Sequence, residues 1–299
     1  LEILKKLEDN LSIIEFIDIE LLNNIDKSKT VIISRLFGEL GKAHKKNGDF
    51  KLAVENLNKS LSQFKMCEYS NELALVMNNV SVNKESIIHY NFSVDNWATQ
   101  GYGEGFGAKY LSDRALFYSK VGEKELAEKD LRQALEIYKK LGKEKNIEKV
   151  TKIMIELIKI ALSQKNESLA LEYINTIYDY SEVNNYPNKL LVKYWLYEIN
   201  NMFGNQINSL SYLTQIINFF DEKNTEDIII SIFDYPQKNL NLDSQIKINT
   251  IYEKRGDLLL ELNLKNKACE DYYKSLEYVS NKHDIKLNNY KINSNCKQK

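Results

Sequence analysis

The chain has 299 residues, 41 of them basic and 42 acidic, for a net charge of -1 at pH 7. That balance exerts no global pull toward nucleic acid or an anionic membrane, so any charged site has to be local. No apolar run approaches the roughly 18 residues that a bilayer span needs, no signal-peptide pattern opens the chain, and Cys67, Cys269 and Cys296 are odd in number, far apart and outside any C-x-x-C. These features argue against a membrane, a disulfide framework and a structural zinc site, and they favour a reducing cytoplasm.

Pro187 and Pro236 are the only prolines, and Leu, Ile, Lys, Glu and Asn dominate, as in long helices joined by short turns. The strand candidates, Val31-Ile32-Ile33 and Ile228-Ile229-Ile230-Ser231-Ile232-Phe233, are short and fit buried helix equally well. From the N-terminus, residues 1–33 read as one or two helices that cap an open end or continue a partial repeat. A start at Leu1 rather than Met, inside a helical pattern, carries the expectation of a preceding segment.

Next comes GELGKAHKKNGDFKLAVENLNKSL, in which Gly41 sits on one helix, Gly48-Asp49-Phe50 makes a turn, and Ala53, Leu57 and Ser60 mark a face of the second. The twelve-residue interval from Gly41 to Ala53 returns between Ala115 and Ala127, Ile158 and Ala170, and Gly256 and Ala268. Four residues after each of these alanines stands a large apolar residue: Leu57, Leu131, Ile174 and Tyr272. The turns Gly122-Glu123-Lys124, Lys165-Asn166-Glu167 and Asn263-Leu264-Lys265 fall at matching places. Small residues at a crossing let two helix axes approach, and large residues one turn away fill the groove, so each unit is an antiparallel helix pair.

In this pattern the sequence resembles the tetratricopeptide repeat family, whose small-and-large signature is met by Phe37, Leu40, Gly41, His44, Ala53 and Leu57. It is met again by Leu111, Ala115, Tyr118, Ala127 and Leu131, and by Tyr252, Gly256, Ala268 and Tyr272. Repeats are placed at 34–67, 108–141, 151–184, a worn copy at 190–223, and 249–282, within an array over 34–282. Some units are stretched toward 40 residues, a form resembling the peptide-sensing regulators and response-regulator phosphatases of Firmicutes. The resemblance implies an all-α, right-handed superhelical solenoid of about five or six antiparallel helix pairs.

Between Ala53 and Ala127 one more repeat fits in either of two registers. In the first, Ser86, Tyr90 and Ser93 take the roles of Ala53, Leu57 and Ser60, the unit is 67–100, and Gly101 to Gly107 are surplus. In the second, the unit starts at Asn78-Asn79-Val80-Ser81 and the glycines fill an ordinary inter-repeat position. The run WATQGYGEGFG invites a phosphate-cradling loop and hence a nucleotide-using enzyme, the competing functional reading. Its G-x-G-x-G-x-G spacing lacks a following K-[ST], no apolar strand precedes it, and no kinase motifs accompany it. The favoured expectation is a hinge at Gly101, Gly103, Gly105 and Gly107, in a protein with no chemistry of its own, no cofactor and no metal site. Toward the C-terminus, Asp234 to Asn239 reads as a loop, and 283–299 as a frayed polar tail.

The resemblance implies that the first helix of each pair lines a concave groove. Its contact positions fall on Arg35, Lys42 and Lys46, then Lys109, Lys152, Lys159, Tyr194, Glu198 and Asn201, with Asn78 as a further amide and Glu253, Asp257 and Glu261 at the far end. His44 takes a packing position. A groove basic at one end and acidic at the other suggests a peptide or protein segment with an acidic or carboxylate end as the partner. The carboxylate clamp of chaperone-tail binders is missing, because Gly38 and Lys42 stand at its positions. Two further expectations are a homodimer through an uncapped repeat end, and the sensor half of a bacterial peptide-pheromone regulator without its DNA-binding part.

Overall fold

The computed structural model describes residues 11–17, 26, 28–81, 84–142, 146–184, 189–223, 229–230, 245–279 and 282–296. The chain divides into two compact units, Leu1–Asn146 and Ile147–Lys299. In the first, a helical stretch over 11–17 precedes three helix pairs: α1 (Thr30–Asn47) with α2 (Phe50–Gln63), α3 (Cys67–Val80) with α4 (Ser86–Asn96), and α5 (Glu104–Val121) with α6 (Lys124–Lys140). The second holds α7 (Ile147–Ser163) with α8 (Glu167–Asn184), α9 (Lys189–Met202) with α10 (Gln206–Lys223), α11 (Ile248–Glu261) with α12 (Lys265–Glu277), and the single helix α13 (Lys282–Asn295). Six pairs thus stand among the described residues, and the fold is an all-α helical repeat.

One backbone device ends the first helix of five pairs. Gly48, Gly122, Lys165, Gly204 and Asn263 all take positive φ, between 57° and 88°. The next residue then donates its N–H five residues back: Asp49 to His44, Glu123 to Tyr118, Asn166 to Ala161, Asn205 to Asn200 and Leu264 to Leu259, at 2.7–2.9 Å. This left-handed cap satisfies carbonyls that the helix end would leave bare and turns the chain back within two residues. Helix α3 is the exception: Ser81 after it is extended.

The crossing rule shows in the packing. A Cβ on Gly41 would lie 2.6 Å from Leu57 Cγ, and one on Gly256 would lie 2.8 Å from the Tyr272 ring. Ala53, Leu57, Ala127, Leu131, Ala170, Ile174, Ala268 and Tyr272 are all buried, each large one contributing roughly 1.5–3 kcal/mol. Ser86, Tyr90 and Ser93 are buried in the same roles, which selects the 67–100 register and overturns the one starting at Asn78. A buried serine ties the two helices of a pair in three repeats. Ser60 Oγ donates to the Ser34 carbonyl (2.6 Å), Ser93 to Cys67 (2.8 Å) and Ser275 to Asn249 (2.9 Å), each across 26 residues.

Two repeats replace the apolar residue one position before the small one with arginine. Arg114 donates to both oxygens of Asp130 (2.7 and 2.8 Å), and Arg255 to both oxygens of Asp271 (2.8 and 2.6 Å). Both aspartates are 3 % exposed, so a bidentate ion pair takes the place that Leu40 fills in the first repeat.

Several expectations change. Val31 to Ile33 belong to α1, with Val31 and Ile32 exposed. Within 228–233, Ile229–Ile230 form a two-residue strand β1, paired antiparallel with β2 (Gln245–Ile246). The loop expected over 234–239 lies outside the described residues, as do 1–10 and 18–25. The tail expected to fray is helical over Lys282–Asn295, because Asn288 and Ile292 on one face are buried against the last pair. Against the expectation of unpaired cysteines, Cys269 and Cys296 are disulfide-bonded, while Cys67 is free and buried. Their separation of 27 residues hides the pairing in sequence; α13 folding back on α12 creates it.

Candidate functional site

In the first unit, α1, α3 and α5 stand side by side and share a charged face. Helical spacing puts Arg35, Glu39, Lys42 and Lys46 along one side of α1. Lys42 reaches Glu68 of α3 (2.7 Å) and Glu39 (3.3 Å), and Lys45 reaches Glu72 (2.7 Å). Lys109 of α5 lies 2.8 Å from Asp113 and 3.8 Å from Glu72, and the Asn71 amide donates to Asp113 (2.7 Å).

These contacts set the charges. Burial alone would push Lys42 down, yet the Glu68 and Glu39 carboxylates leave it raised; Lys109 is likewise raised by Asp113 and Glu72 against its own burial. Burial would raise Glu72, but Lys45 and Lys109 bring it below the ordinary carboxylate range. The expected basic end of a groove is therefore a mixed ladder in which Lys42, Lys45 and Lys109 each have a carboxylate partner. Glu68, Glu72 and Asp113, absent from the sequence reading, supply those partners. For Glu68 and Glu72 the signal was complementary charge 26 and 27 residues after Lys42 and Lys45, and for Asp113 the i,i+4 spacing from Lys109.

Arg35 differs. It is exposed and forms no ion pair among the described residues. It lines a groove of about 830 Å³ whose rim is made by Val31 and Ile32 of α1 and by Phe64, all 40–46 % exposed. Glu39 and Tyr69 form part of the floor; the Tyr69 hydroxyl donates at 3.2 Å to the Arg35 carbonyl and to Glu39. Burial, then the Glu39 carboxylate, pushes the Tyr69 phenol far above its ordinary range, so it stays a neutral donor.

The opposite wall is the glycine-rich connector, through Thr99, Gln100, Gly101 and Tyr102. Gln100 fixes it to the preceding turn by accepting from the Cys67 N–H and donating to the Lys65 carbonyl, both at 2.9 Å. Gly101, at φ 77°, stops the preceding helix, and Gly103 sits just before α5. Gly105 and Gly107, expected in the hinge, lie inside α5. At Gly107 a Cβ would come 2.5 Å from the Trp97 ring, so that glycine serves close packing. Tyr102, Phe106 and Tyr110 form a ring cluster with centroids 5.4–6.3 Å apart. The element before the glycines is helix α4, whereas a phosphate loop follows a strand.

The other expected contact residues separate. Lys46 is exposed on α1 without an ion pair among the described residues. Asn78 does not reach a groove: it is 9 % exposed, donates to the Tyr90 hydroxyl (3.1 Å) and accepts from Ser86 (3.2 Å). His44 is 8 % exposed, with Nδ1 3.7 Å from Asp49. In the second unit, Lys152 pairs with Glu148 and Lys159 with Glu156 along α7. Tyr194 is 1 % exposed and packs on Tyr197, so it is core rather than contact surface. Glu198 is half-buried and Asn201 exposed on α9. The expected acidic end is occupied, since Glu253 and Asp257 hold Lys291 of α13 at 2.7 and 2.8 Å, and Glu261 accepts from Gln206 (2.7 Å).

Residues 34–63 and 108–146 match the tetratricopeptide repeat family. No curated protein matches the sequence. Among solved structures, the apo form of RapI is similar over 96 % of both chains at 14 % identity, with a TM-score of 0.55. Kinesin light chain TPR-like repeats from Podosopora anserina cover 65 % of this chain and 98 % of theirs (18 % identity, TM-score 0.54). A tetratricopeptide repeat protein from Parabacteroides merdae covers 95 % of this chain and 93 % of its own (16 % identity, TM-score 0.51). At these identities the likeness is one of fold. The chain carries tetratricopeptide repeats, and no described helix is long and apolar enough to cross a membrane.

Proposed function

We propose that this tetratricopeptide-repeat chain is a scaffold that binds a peptide or protein segment and performs no chemistry of its own. The observation that carries this reading is the groove of the first unit, where three large apolar side chains remain half exposed around an arginine that forms no ion pair among the described residues. Contiguous apolar surface with a few polar groups is what a binding groove presents to a partner. Lys42, Lys45 and Lys109 are engaged with carboxylates, whereas Arg35 lines the groove itself and is placed to meet an acidic or carboxylate group of the segment.

Affinity capture on the immobilised protein, compared with Arg35→Glu and Phe64→Asp variants, tests the reading. Loss of the same partner from both variants, with helicity unchanged by circular dichroism, is the expected result. An identical set of captured proteins on all three would move the site elsewhere.

The alternative, a peptide-sensing half of a bacterial regulator, is compatible with the fold likeness to RapI over nearly the whole of both chains. It predicts that the captured ligand is a short free peptide rather than a segment of a folded protein, which mass spectrometry of the eluate distinguishes.

A further inference from the structure

We propose that the carboxylate face of α11 is a docking site for a cationic helix, that α13 is its resident occupant, and that the Cys269–Cys296 bond decides whether α13 stays. This site lies in the second unit and stands independently of the groove lined by Arg35.

Helix α13 stands where the first helix of a further pair would, and no second helix covers it among the described residues. Its attachment is unusually polar. Of its described side chains only Asn288 and Ile292 are buried, while Ile285, Leu287 and Tyr290 are 37 %, 41 % and 69 % exposed. One buried isoleucine supplies little hydrophobic holding force compared with an ordinary repeat helix.

Charge does the rest. Lys291 Nζ lies 2.7 Å from Glu253, 2.8 and 2.9 Å from the two oxygens of Asp257, and 5.6 Å from the centre of the Tyr272 ring. The Tyr272 hydroxyl also donates to Asp257 (2.8 Å), and Asn288 donates to Ser275 (3.0 Å). Two carboxylates, an aromatic face and a neighbouring apolar seat for Ile292 thus form a receptor for a lysine followed by an apolar residue on one helix. The occupant it fits is a helix carrying a lysine or arginine next to such a residue.

The disulfide joins a firm element to a weak one. Cys269 follows Ala268, which is fully buried where α12 packs on α11, whereas Cys296 lies just beyond the end of α13. Reduction by a dithiol delivers two electrons and two protons to the sulfur pair, leaving two cysteine thiols and an oxidised cyclic disulfide. What then keeps α13 in place is Ile292, one amide contact and the two carboxylates that hold Lys291, of which Asp257 is half exposed to solvent. Removing a cross-link that closes 27 residues should raise its opening on the order of 100-fold.

Amide hydrogen exchange on the full chain, oxidised and after dithiothreitol, reads this directly. Exchange over 282–296 should quicken on the order of 100-fold on reduction while α11 and α12 keep their protection. The Cys269→Ser variant should reproduce the reduced pattern without reductant. A labelled peptide of residues 282–296 with Cys296→Ser should bind the reduced chain at least about 10-fold more tightly than the oxidised one, and Asp257→Lys should abolish that binding. Equal exchange in both redox states would overturn the proposal, as would equal peptide affinity, or free thiols at both cysteines after air oxidation.

Discussion

Helices α1 and α7 hold the same place in their repeats, yet they meet opposite surroundings. Ten residues of α7, from Val150 to Leu162, are buried, and Lys152 and Lys159 pair with glutamates on the same helix. On α1 the buried set is mostly small or polar, and Arg35, Glu39, Lys42 and Lys46 form a side that reaches across to the next repeat. A helix apolar nearly all round is committed to packing, whereas one with a charged side has a face left for recognition. One template thus yields a helix packed nearly all round in the second unit and one with a charged side in the first.

That contrast can be broken at its strongest point by Arg114→Ala. This variant leaves Asp130 buried and unpaired and should cost about 3–5 kcal/mol in chemical denaturation, as much as any core deletion. A loss below about 1 kcal/mol would mean that charge inside these repeats is cheap and that α1 and α7 differ less than they look. In α7, Leu157→Ala should cost about 2–5 kcal/mol through the cavity it opens, read as a lowered Tm and denaturant midpoint. A neutral result would show that α7 is loosely packed.

The connector before α5 sharpens the comparison by pairing two glycines of one helix. Gly122→Ala forces an L-residue into positive φ at the end of α5 and should destabilise by about 1–2 kcal/mol. Gly105→Ala, inside the same helix with its nearest new contact 3.7 Å away on Leu141, should stabilise by about 0.5–1 kcal/mol. If Gly105→Ala destabilises while binding of the captured partner falls, the hinge expected from the sequence regains its support.

The smallest expected effect lies in the charged ladder itself. Glu72 titrates below its unfolded value, so its contribution is present above the ordinary carboxylate range and is lost as pH falls through the folded value. Glu72→Gln should cost less than about 1 kcal/mol at pH 7, and the gap between variant and parent should close as the solution is acidified below about pH 4.5. A gap that widens in acid would reverse the assignment.

Much of the fold was legible because close helix crossings leave a local trace. Gly41 with Leu57, Gly256 with Tyr272 and the two-residue turns at Gly48 and Gly122 are sequence-adjacent features that force the hairpin. The site was legible only in part. Place in the repeat put Arg35 and Lys42 on one side of α1, but Glu68, which pairs with Lys42, comes from another helix. Tyr194 met a contact position in sequence and Asn78 was named as a further groove amide, yet both are buried, since exposure depends on what packs alongside. The glycine run misled for a related reason: half of it lies inside α5, where Gly107 makes room for Trp97.

By itself the sequence determined an all-α chain of helix pairs, the small residues at each crossing and the places where first helices end, because these follow from steric rules acting within some forty residues. Only the tertiary structure decided which lysines meet a carboxylate, that α13 packs back on the last pair and that Cys269 meets Cys296. Those outcomes depend on the through-space meeting of side chains a repeat or more apart, which no local spacing encodes.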